Sequence, residues 1–289
     1  MIRLGLLVSG NLGSIALTNL ESNHHVIFVM TDKNSVSIID FCKHKKINYF
    51  LGNPRGGKCI TFIQSFEIDV LVSVNYLFLI DKDLINFPKK LAFNIHGSLL
   101  PKYRGRTPHV WAIINNEKET GITAHRIDEG CDTGHIIEQV IIPIKENETG
   151  ADILQKFMTN YTPLINSVLD KIKNGTIVLR KQEHHKATFF GKRTPDDGQI
   201  NWNWQKERIR NWVRAQAYPY PGAFTFFEDK KLTIDEITYV DEAFSYDMPN
   251  GKVISIDPLL IKTPNGVVKL NKIRETEVFI YKGLILKSI

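Results

Sequence analysis

An amide, an imidazole and a carboxylate occur in two short segments that together could carry out acid–base chemistry. Asn94 and His96 end an apolar run, and Asp132 lies in the acidic, glycine-flanked turn at residues 128–134. An imidazole can move protons near neutral pH, an amide N–H can stabilise an oxyanion, and a carboxylate can orient the imidazole. Because Asn94 and His96 are two residues apart on a predicted strand, their side chains should share one face.

Considered singly, these residues have more ordinary explanations. An Asn-x-His pair at a strand end and an Asp-Gly turn are more often structural than catalytic. A zinc site formed by His96, Asp132 and His135 is conceivable, but no metal-ligand spacing supports it. Cys131 could be a nucleophile, although no base stands beside it in the sequence. The three cysteines, Cys42, Cys59 and Cys131, form neither a disulfide framework nor a metal motif, which favours a reducing, cytoplasmic setting.

The elements that would position the polar groups alternate between strands and helices. Buried strands are predicted at residues 2–8, 26–30, 70–74 and 91–95, and helices at 34–46, 58–67 and 107–116. This alternation predicts an α/β fold with a parallel sheet covered on both faces. Ligands of such sheets bind beyond the carboxyl ends of the strands, where Asn94 and His96 lie.

Two further strands, at residues 121–126 and 135–142, should flank the acidic turn. A long amphipathic helix is predicted over residues 151–173, with a kink at Pro163. After about residue 195 the pattern changes to short alternating runs separated by turns. Strands predicted at 223–227, 232–240, 252–256, 259–262 and 266–273 indicate a small β-barrel. The chain is therefore predicted to form two domains, residues 1–195 and 196–289.

Composition limits the class of protein. Hydrophobic residues make up 43% of the 289 residues, which is ample for a core and excludes a disordered chain. The net charge of +6 suits anionic ligands, whereas the absence of a dense basic stretch argues against nucleic acid as the partner. No signal peptide and no apolar run of membrane length is expected.

Three segments resemble one enzyme family. They are residues 93–108 (Phe-Asn-Ile-His-Gly-Ser-Leu-Leu-Pro-Lys-Tyr-Arg-Gly-Arg-Thr-Pro), residues 190–197 (Phe-Gly-Lys-Arg-Thr-Pro-Asp-Asp), and residues 211–224 (Asn-Trp-Val-Arg-Ala-Gln-Ala-Tyr-Pro-Tyr-Pro-Gly-Ala-Phe). With Asp132 in Asp-x-Gly-x-Asp-Thr-Gly, they are similar to the N10-formyltetrahydrofolate-dependent sugar N-formyltransferases. The resemblance extends to formyltransferase domains that act on UDP-4-amino-4-deoxy-L-arabinose, and it covers nearly the whole chain.

This resemblance implies a Rossmann-like N-terminal domain, an OB-like C-terminal domain, a homodimer and roles for individual residues. Asn94, His96 and Asp132 would be catalytic, and N10-formyltetrahydrofolate would be the co-substrate, with no metal. Contacts to the folate are implied for Phe78, Leu79, Ile80, Arg106, Asp128, Glu129, Gly130, Cys131 and Asp132. Contacts to the acceptor substrate are implied, more weakly, for Ser9, Asn11, Leu12, Arg193 and Arg214. Without the resemblance, the segment Phe78–Ile80 would be interpreted as ordinary core.

The acceptor predicted from the resemblance is a UDP- or dTDP-linked 4-amino or 3-amino deoxysugar. The product would serve a surface polysaccharide, lipid A or a flagellin glycan. A methionyl-tRNA formyltransferase is the alternative enzyme, although the clustered basic segments expected of it are missing. A folate- or nucleotide-binding module without catalysis is the non-enzymatic alternative. A glycinamide ribonucleotide formyltransferase is disfavoured because that family lacks the C-terminal barrel.

Overall fold

A computed structural model of the protein describes residues 2–274 and 277–288. The chain divides into two compact units, each built from separate stretches of sequence. The first unit comprises residues 1–105, 121–142 and 156–190, and the second comprises residues 106–120, 143–155 and 191–289. The predicted boundary near residue 195 remains a prediction.

The first unit is built on a mixed, largely parallel sheet, as the alternation of strands and helices predicts. Its strands are β1 (Arg3–Val8), β2 (His25–Thr31), β3 (Asn48–Leu51), β4 (Val70–Val74), β5 (Leu91–His96), β7 (Glu119–Arg126) and β8 (Ile136–Pro143). Within the described residues these seven strands have the order β3-β2-β1-β4-β5-β7-β8. Pairing is parallel from β3 to β5, and β7 runs antiparallel to β5. A short pair, β6 (Arg104–Gly105) with β9 (Phe189–Phe190), is parallel.

Helices connect and cover these strands. They are α1 (Gly10–Asn23), α2 (Val36–Lys45), α3 (Ile60–Ile63), α4 (Lys82–Ile85) and α6 (Gly150–Asn174). The helix α5 (Pro108–Ile114) belongs to the second unit. The predicted apolar face of α6 is buried at Phe157, Leu164, Ile165 and Val168. Pro163 lies inside this helix. The central strand β4 is buried at all five residues, because helices cover both faces of a parallel sheet.

Two predictions for this region are wrong in detail. The strand β3 was not predicted, since its four residues are half-buried or exposed and give no apolar run. Within the segment 58–67, where a helix is expected, only the single turn of α3 is helical. Its predicted apolar residues nevertheless pack together: Cys59 and Ile63 are buried in the core, and Phe62 and Phe66 lie against it.

The second unit contains the predicted β domain. Its strands are β10 (Ala223–Phe227), β11 (Lys230–Val240), β12 (Val253–Ile256), β13 (Leu259–Thr263) and β14 (Gly266–Ile273), and α7 (Lys206–Ala215) precedes them. Among the described residues the sheet has the order β10-β11-β14-β13-β12, and neighbouring strands pair antiparallel.

The sheet of the second unit is closed by a segment that the sequence did not predict as a strand. Leu286 and Lys287 donate backbone N–H groups to Gly251 and Phe226, which lie beside β12 and in β10, respectively. The segment at residues 284–287 therefore bridges the two edge strands and removes their free edges. Trp202, fully buried, donates its indole N–H to Thr225 Oγ1 at 3.1 Å, so this tryptophan belongs to the core of the barrel.

Candidate active site

The polar groups predicted from the sequence meet at the end of β5. The register pairs Asn94 of β5 with His125 of β7, and His96 with Thr123. His96 is buried and Asn94 is half-buried. Because β5 and β7 run antiparallel, two polar residues from each strand face one another across the ladder.

The hydrogen bond of His96 fixes which ring nitrogen can accept a proton. Its Nε2 lies 2.8 Å from the carbonyl oxygen of Tyr103. A carbonyl can only accept, so Nε2 carries the hydrogen and donates it. The other nitrogen, Nδ1, lies 3.5 Å from Oδ2 of Asp132. Neutral His96 therefore presents a basic Nδ1 beside a carboxylate that would stabilise the ring once it is protonated.

The pKa of His96 is lowered from its ordinary value. Burial lowers it most, and the carboxylate of Asp132 together with the carbonyl of Tyr103 opposes that effect without cancelling it. A carboxylate beside an imidazole favours the charged ring, so Asp132 alone is predicted to raise this pKa. The contribution of Asp132 has the predicted sign, but the net direction is the opposite because desolvation of the ring outweighs it.

Asp132 is held as an ionised carboxylate. Its Oδ2 accepts the backbone N–H of Gly105 at 3.0 Å, and its Oδ1 lies 3.6 Å from Nε2 of His125. Burial works to raise the pKa of this carboxyl, but the neighbouring imidazoles of His96 and His125 and the backbone N–H of Gly105 favour its charged form, outweigh burial and lower the pKa. Asp132 therefore remains negatively charged beside His96 throughout the neutral range.

His125 belongs to this cluster and was missed by sequence reasoning. Its Nδ1 donates to the carbonyl oxygen of Arg126 at 2.9 Å, so Nε2 is left to accept. The side-chain amide of Asn94 donates to this Nε2 at 3.1 Å, which fixes the orientation of the amide and leaves its second N–H for another acceptor. The signal in the sequence was a histidine at an inward position of the strand before the acidic turn.

A buried network supports the backbone of the acidic turn. The Gln182 side chain donates to the carbonyl oxygens of Asp132 and Gly134 at 2.9 and 2.6 Å, and accepts from Arg104 at 2.6 Å. Gln182 and Arg104 are both buried. Asp132 itself has φ of 55°, a left-handed conformation that needs support in a non-glycine residue. The network therefore holds Asp132 in a constrained conformation.

The segment between β5 and β6 is anchored to β7 and β8. Thr123 Oγ1 donates to the carbonyl oxygen of Ser98 at 2.6 Å and accepts the N–H of Leu100 at 3.2 Å. Gln139 donates to the carbonyl oxygen of Leu100 at 3.0 Å. These contacts fix the path of the chain toward Tyr103, whose carbonyl group binds His96.

The other predicted folate residues of the first unit lie in two loops. After β4, Phe78 and Ile80 are half-buried, whereas 55% of Leu79 is exposed. In the acidic turn, Asp128 accepts from Gly130 N and Thr133 Oγ1, Glu129 pairs with Lys82, and Cys131 is exposed. Ile80 packs against the core, as expected if the segment Phe78–Ile80 is ordinary core. Leu79, in contrast, has an apolar side chain that is open to a ligand.

The predicted acceptor residues at the start of α1 are also in the first unit. Ser9 is buried, Leu12 is half-buried and Asn11 is exposed. The carbonyl oxygen of Ser9 accepts from the side chain of Asn75 at 3.0 Å. Of these three, Asn11 has the side chain most open to a ligand.

Three predicted arginines fall in the second unit. Arg106 is exposed. The guanidinium of Arg193 lies between the rings of Trp111 and Trp212, 5.0 and 4.4 Å from their centroids, and donates to Asp197 O and Gln216 Oε1. Such a fully engaged side chain positions the chain more readily than it binds a ligand. Arg214 is buried and contributes to a cleft described below.

Metal and membrane features are absent from the part of the chain that the structure describes. No group of three or more His, Cys, Asp or Glu side chains there could hold a metal ion. No helix in residues 2–274 and 277–288 is long and apolar enough to span a membrane.

The sheet of the first unit thus carries a buried imidazole, a carboxylate and an oriented amide at the end of β5, a set of groups suited to a group transfer that needs proton transfer and oxyanion stabilisation. Residues 6–169 match the sequence model of the formyl transferase family, and residues 192–280 match that of the formyl transferase C-terminal domain. The chain therefore belongs to the formyl transferase family.

Individual relatives agree with the assignment to this family. The bifunctional polymyxin resistance protein ArnA of Wigglesworthia glossinidia brevipalpis is 32% identical over 277 residues, which are 96% of this chain and 40% of that protein. The chain thus spans less than half of this relative. The N-formyltransferase of Helicobacter canadensis, crystallised with folinic acid and dTDP-3-aminofucose, is 23% identical with a TM-score of 0.73, covering 93% of this chain and 99% of that one.

A second solved structure has the same fold. WlaRD, a sugar 3N-formyltransferase crystallised in the presence of dTDP and 5-N-formyl-tetrahydrofolate, is 24% identical with a TM-score of 0.69. The match covers 94% of this chain and 99% of WlaRD. The predicted fold class, a Rossmann-like α/β domain with a separate C-terminal β domain, is confirmed.

Proposed function

We propose that the protein transfers the formyl group of N10-formyltetrahydrofolate to the amine of a UDP- or dTDP-linked 4-amino or 3-amino deoxysugar. The observation that carries this proposal is the cluster of Asn94, His96, His125 and Asp132 at the carboxyl end of β5. The names of the relatives support a folate donor and a nucleotide-linked acceptor. A formamido sugar for a surface polysaccharide, lipid A or a flagellin glycan would be the product.

The cluster can perform each proton transfer that the reaction needs. Nδ1 of His96 takes a proton from the attacking amine as the new C–N bond forms. The carbonyl oxygen becomes an oxyanion, to which Asn94 donates its second amide N–H. Asp132 stabilises the imidazolium, which then returns the proton to N10 as the bond between N10 and the formyl carbon breaks. Tetrahydrofolate and the formamido sugar are the products, so atoms and charge balance.

The folate would contact the first unit through the exposed Leu79 and the backbone of the acidic turn at residues 128–132. A pterin suits an apolar wall with a few backbone donors and acceptors. The contacts inferred for Phe78, Ile80, Arg106, Ser9, Asn11, Leu12, Arg193 and Arg214 remain predictions. So do the homodimer, the cytoplasmic location, the domain boundary at residue 195 and the absence of a metal.

The test is a direct search for the formylated product. The protein is incubated with N10-formyltetrahydrofolate and a panel of UDP- and dTDP-linked 3- and 4-amino sugars, with methionyl-tRNA in parallel, and products are identified by mass spectrometry. We expect one nucleotide sugar to gain a formyl group. Formyl-methionyl-tRNA, with every sugar unchanged, would instead establish the alternative enzyme.

A matched pair of variants separates catalysis from binding. His96→Asn should abolish turnover and retain folate binding, whereas His185→Asn, which changes a histidine whose side chain is 74% exposed, should match the wild type. If wild type and His96→Asn are equally inert toward every amine and both bind folate, the protein is a binding module and the proposed function fails.

A further inference from the structure

The second unit contains a cleft of about 370 Å³ whose lining shares no residue with the cluster of Asn94, His96, His125 and Asp132. A volume in this range is typical of small-molecule sites. The cleft is formed by α7, β11, β14 and the segment that follows β8. Its lining residues are Asn147, Thr149, Arg210, Arg214, Ala217, Tyr218, Asp235, Glu236, Ile237, Thr238 and Lys272.

The positive charges of this cleft are only partly offset by carboxylates: Glu146 and Glu148 act to raise the pKa of Arg214, and Lys272 interacts with Asp235. Arg210 and Arg214, four residues apart on α7, share one face of the helix, and Lys272 comes from β14. Within residues 2–274 and 277–288, neither guanidinium forms an ion pair with a carboxylate. Burial and the neighbouring charge of Arg210 lower the pKa of Arg214 to about 10, so the two arginines lie close enough to repel one another on the same face of the helix.

The two carboxylates of the lining are already engaged. Asp235 accepts two hydrogen bonds from Arg274, at 2.9 and 2.7 Å, and one from the backbone of Tyr218. Glu236 is exposed and accepts from Asn271 at 3.2 Å. Asp235 is thus paired with Arg274, whereas Glu236 keeps its charge at an exposed position, and the three cations of the lining outnumber its two carboxylates.

The arginines are also held in place for a ligand. Arg214 is nine-tenths buried and donates from Nε to Asn211 and from Nη1 to the carbonyl oxygen of Glu148. In the described part of the chain, its Nη2 has no hydrogen-bond partner. Arg210 is oriented by Asn147 Oδ1 at 2.5 Å, which leaves the amide hydrogens of Asn147 as further donors. A buried guanidinium with an unused N–H edge is preorganised for an oxyanion.

We propose that this cleft in the β-barrel unit binds the phosphate or diphosphate group of a small molecule. Two guanidiniums, an ammonium and an amide provide donors for several oxygens of one anion, and their charge suits a group that carries more than one negative charge. The proposal does not depend on the identity of the formyl acceptor, because it concerns binding alone. The phosphate group could be free or part of a nucleotide.

The test is isothermal titration of the full-length protein with inorganic phosphate, inorganic diphosphate, UDP and dTDP. We expect saturable binding of diphosphate, weakened at least about tenfold by Arg210→Gln and by Lys272→Gln. Arg208→Gln removes the same charge from the same helix outside the cleft and is the matched control. Binding should be within about threefold of the wild type in that variant and should weaken as salt is raised.

The four ligands distinguish the sources of the phosphate group. Tighter binding of UDP or dTDP than of inorganic diphosphate, lost in Arg210→Gln, identifies a nucleotide, and equal binding identifies the bare anion. No saturable binding of any of the four would overturn the proposal. Equal affinity of Arg210→Gln, Lys272→Gln and Arg208→Gln would overturn it as well, because the anion would then be bound elsewhere. Circular dichroism of each variant verifies that it is folded.

Discussion

At the residue scale, the lowered pKa of His96 has a measurable consequence for pH dependence. The neutral ring is the base, and a pKa below 6.5 keeps it neutral down to more acidic pH. Asp132→Asn removes the main charge that raises this pKa. We expect the variant to be slower. On the acid side of the pH profile, its kcat/KM should fall at a lower pH than that of the wild type. A shift of the acid limb to higher pH would contradict the assigned electrostatics.

The hydrogen bond between Asn94 and His125 predicts that their contributions to catalysis are coupled. Asn94→Ala should lower kcat about 10²–10³-fold with little change in KM, as expected for loss of an oxyanion donor. His125→Phe removes the acceptor that orients the amide and should lower kcat less. The double variant should then be little worse than Asn94→Ala alone.

Steady-state kinetics of the two single variants and the double variant measure this coupling. Asn94→Ala combined with His185→Asn is the control and should show additive effects, since the side chain of His185 is exposed. Additive losses for Asn94→Ala and His125→Phe would show that His125 does not position the amide.

The residues whose side chains could take part in the reaction could be predicted from the sequence. The residues that hold these side chains in position could not. Asn94, His96 and Asp132 are conspicuous in the sequence because an apolar run and a glycine-flanked turn isolate them. His125 is conspicuous only when β7 pairs with β5 in the observed register, and that register depends on the folded sheet. The direction of the pKa shift of His96 likewise depends on burial, which the local sequence does not encode.

At the element scale, Gln182 stabilises the acidic turn through three hydrogen bonds. Gln182→Leu leaves two carbonyl groups and a buried guanidinium short of a partner, so we expect a loss of about 2–4 kcal/mol in the free energy of unfolding. Urea denaturation measures it. Gln64→Leu, at an exposed position, is the control and should change the free energy by less than about 0.5 kcal/mol. Equal stability of both variants would show that the network is not stabilising.

Gly105, at the end of β6, donates its backbone N–H to Asp132. Two features of this position favour glycine. Its φ is +99°, and a Cβ there would collide with the carbonyl oxygen of Phe190 on β9. Gly52 has nearly the same φ, +101°, with nothing near its Cβ position. Gly52→Ala should cost about 1–2 kcal/mol from conformation alone, and Gly105→Ala at least about 2 kcal/mol more from the collision. Thermal unfolding of the two variants should reveal the difference, and similar melting temperatures would rule out the collision.

Long, strongly patterned elements could be predicted, and short ones could not. The 25-residue helix α6 and the buried strand β4 match their expected ranges closely. The four-residue strand β3 gave no signal, because parallel pairing with β2 rather than apolar periodicity defines it. The expected helix over residues 58–67 has its apolar face in the core, although only α3 has regular helical hydrogen bonding.

At the scale of the whole molecule, stability should decrease on acidification through His109, which is half-buried. Burial lowers the pKa of His109 from 6.5 to about 4. Below pH 6.5 the unfolded chain binds a proton that the folded chain does not, so stability present above pH 6.5 is lost as pH falls toward 4. The loss attributable to His109 approaches about 3 kcal/mol.

His109→Gln tests this linkage, because glutamine can still bind the hydroxyl of Tyr220 and does not titrate. We expect its urea midpoint to fall less steeply between pH 7 and 4 than that of the wild type. His185→Gln, which alters an exposed histidine, should retain the slope of the wild type. A slope in His109→Gln equal to that of the wild type would show that other groups dominate acid denaturation.

The presence of a barrel could be predicted from five alternating runs, but its closure could not. The bridging segment at residues 284–287 is too short and irregular to register as a strand. Its role follows from contacts with Gly251 and Phe226, residues far away in the sequence. Such long-range pairing is what local patterning leaves undetermined.

The closure of the barrel by residues 284–287 has a consequence during protein synthesis. Lys287 accepts a hydrogen bond from Thr225, 62 residues earlier in the chain. At ribosomal rates, roughly 3 to 12 seconds separate the translation of these two residues. During that interval β10 has emerged with an open edge, which is a template for pairing with other nascent chains. Slowing elongation between these points should therefore increase aggregation of the nascent protein, without any change in the mature sequence.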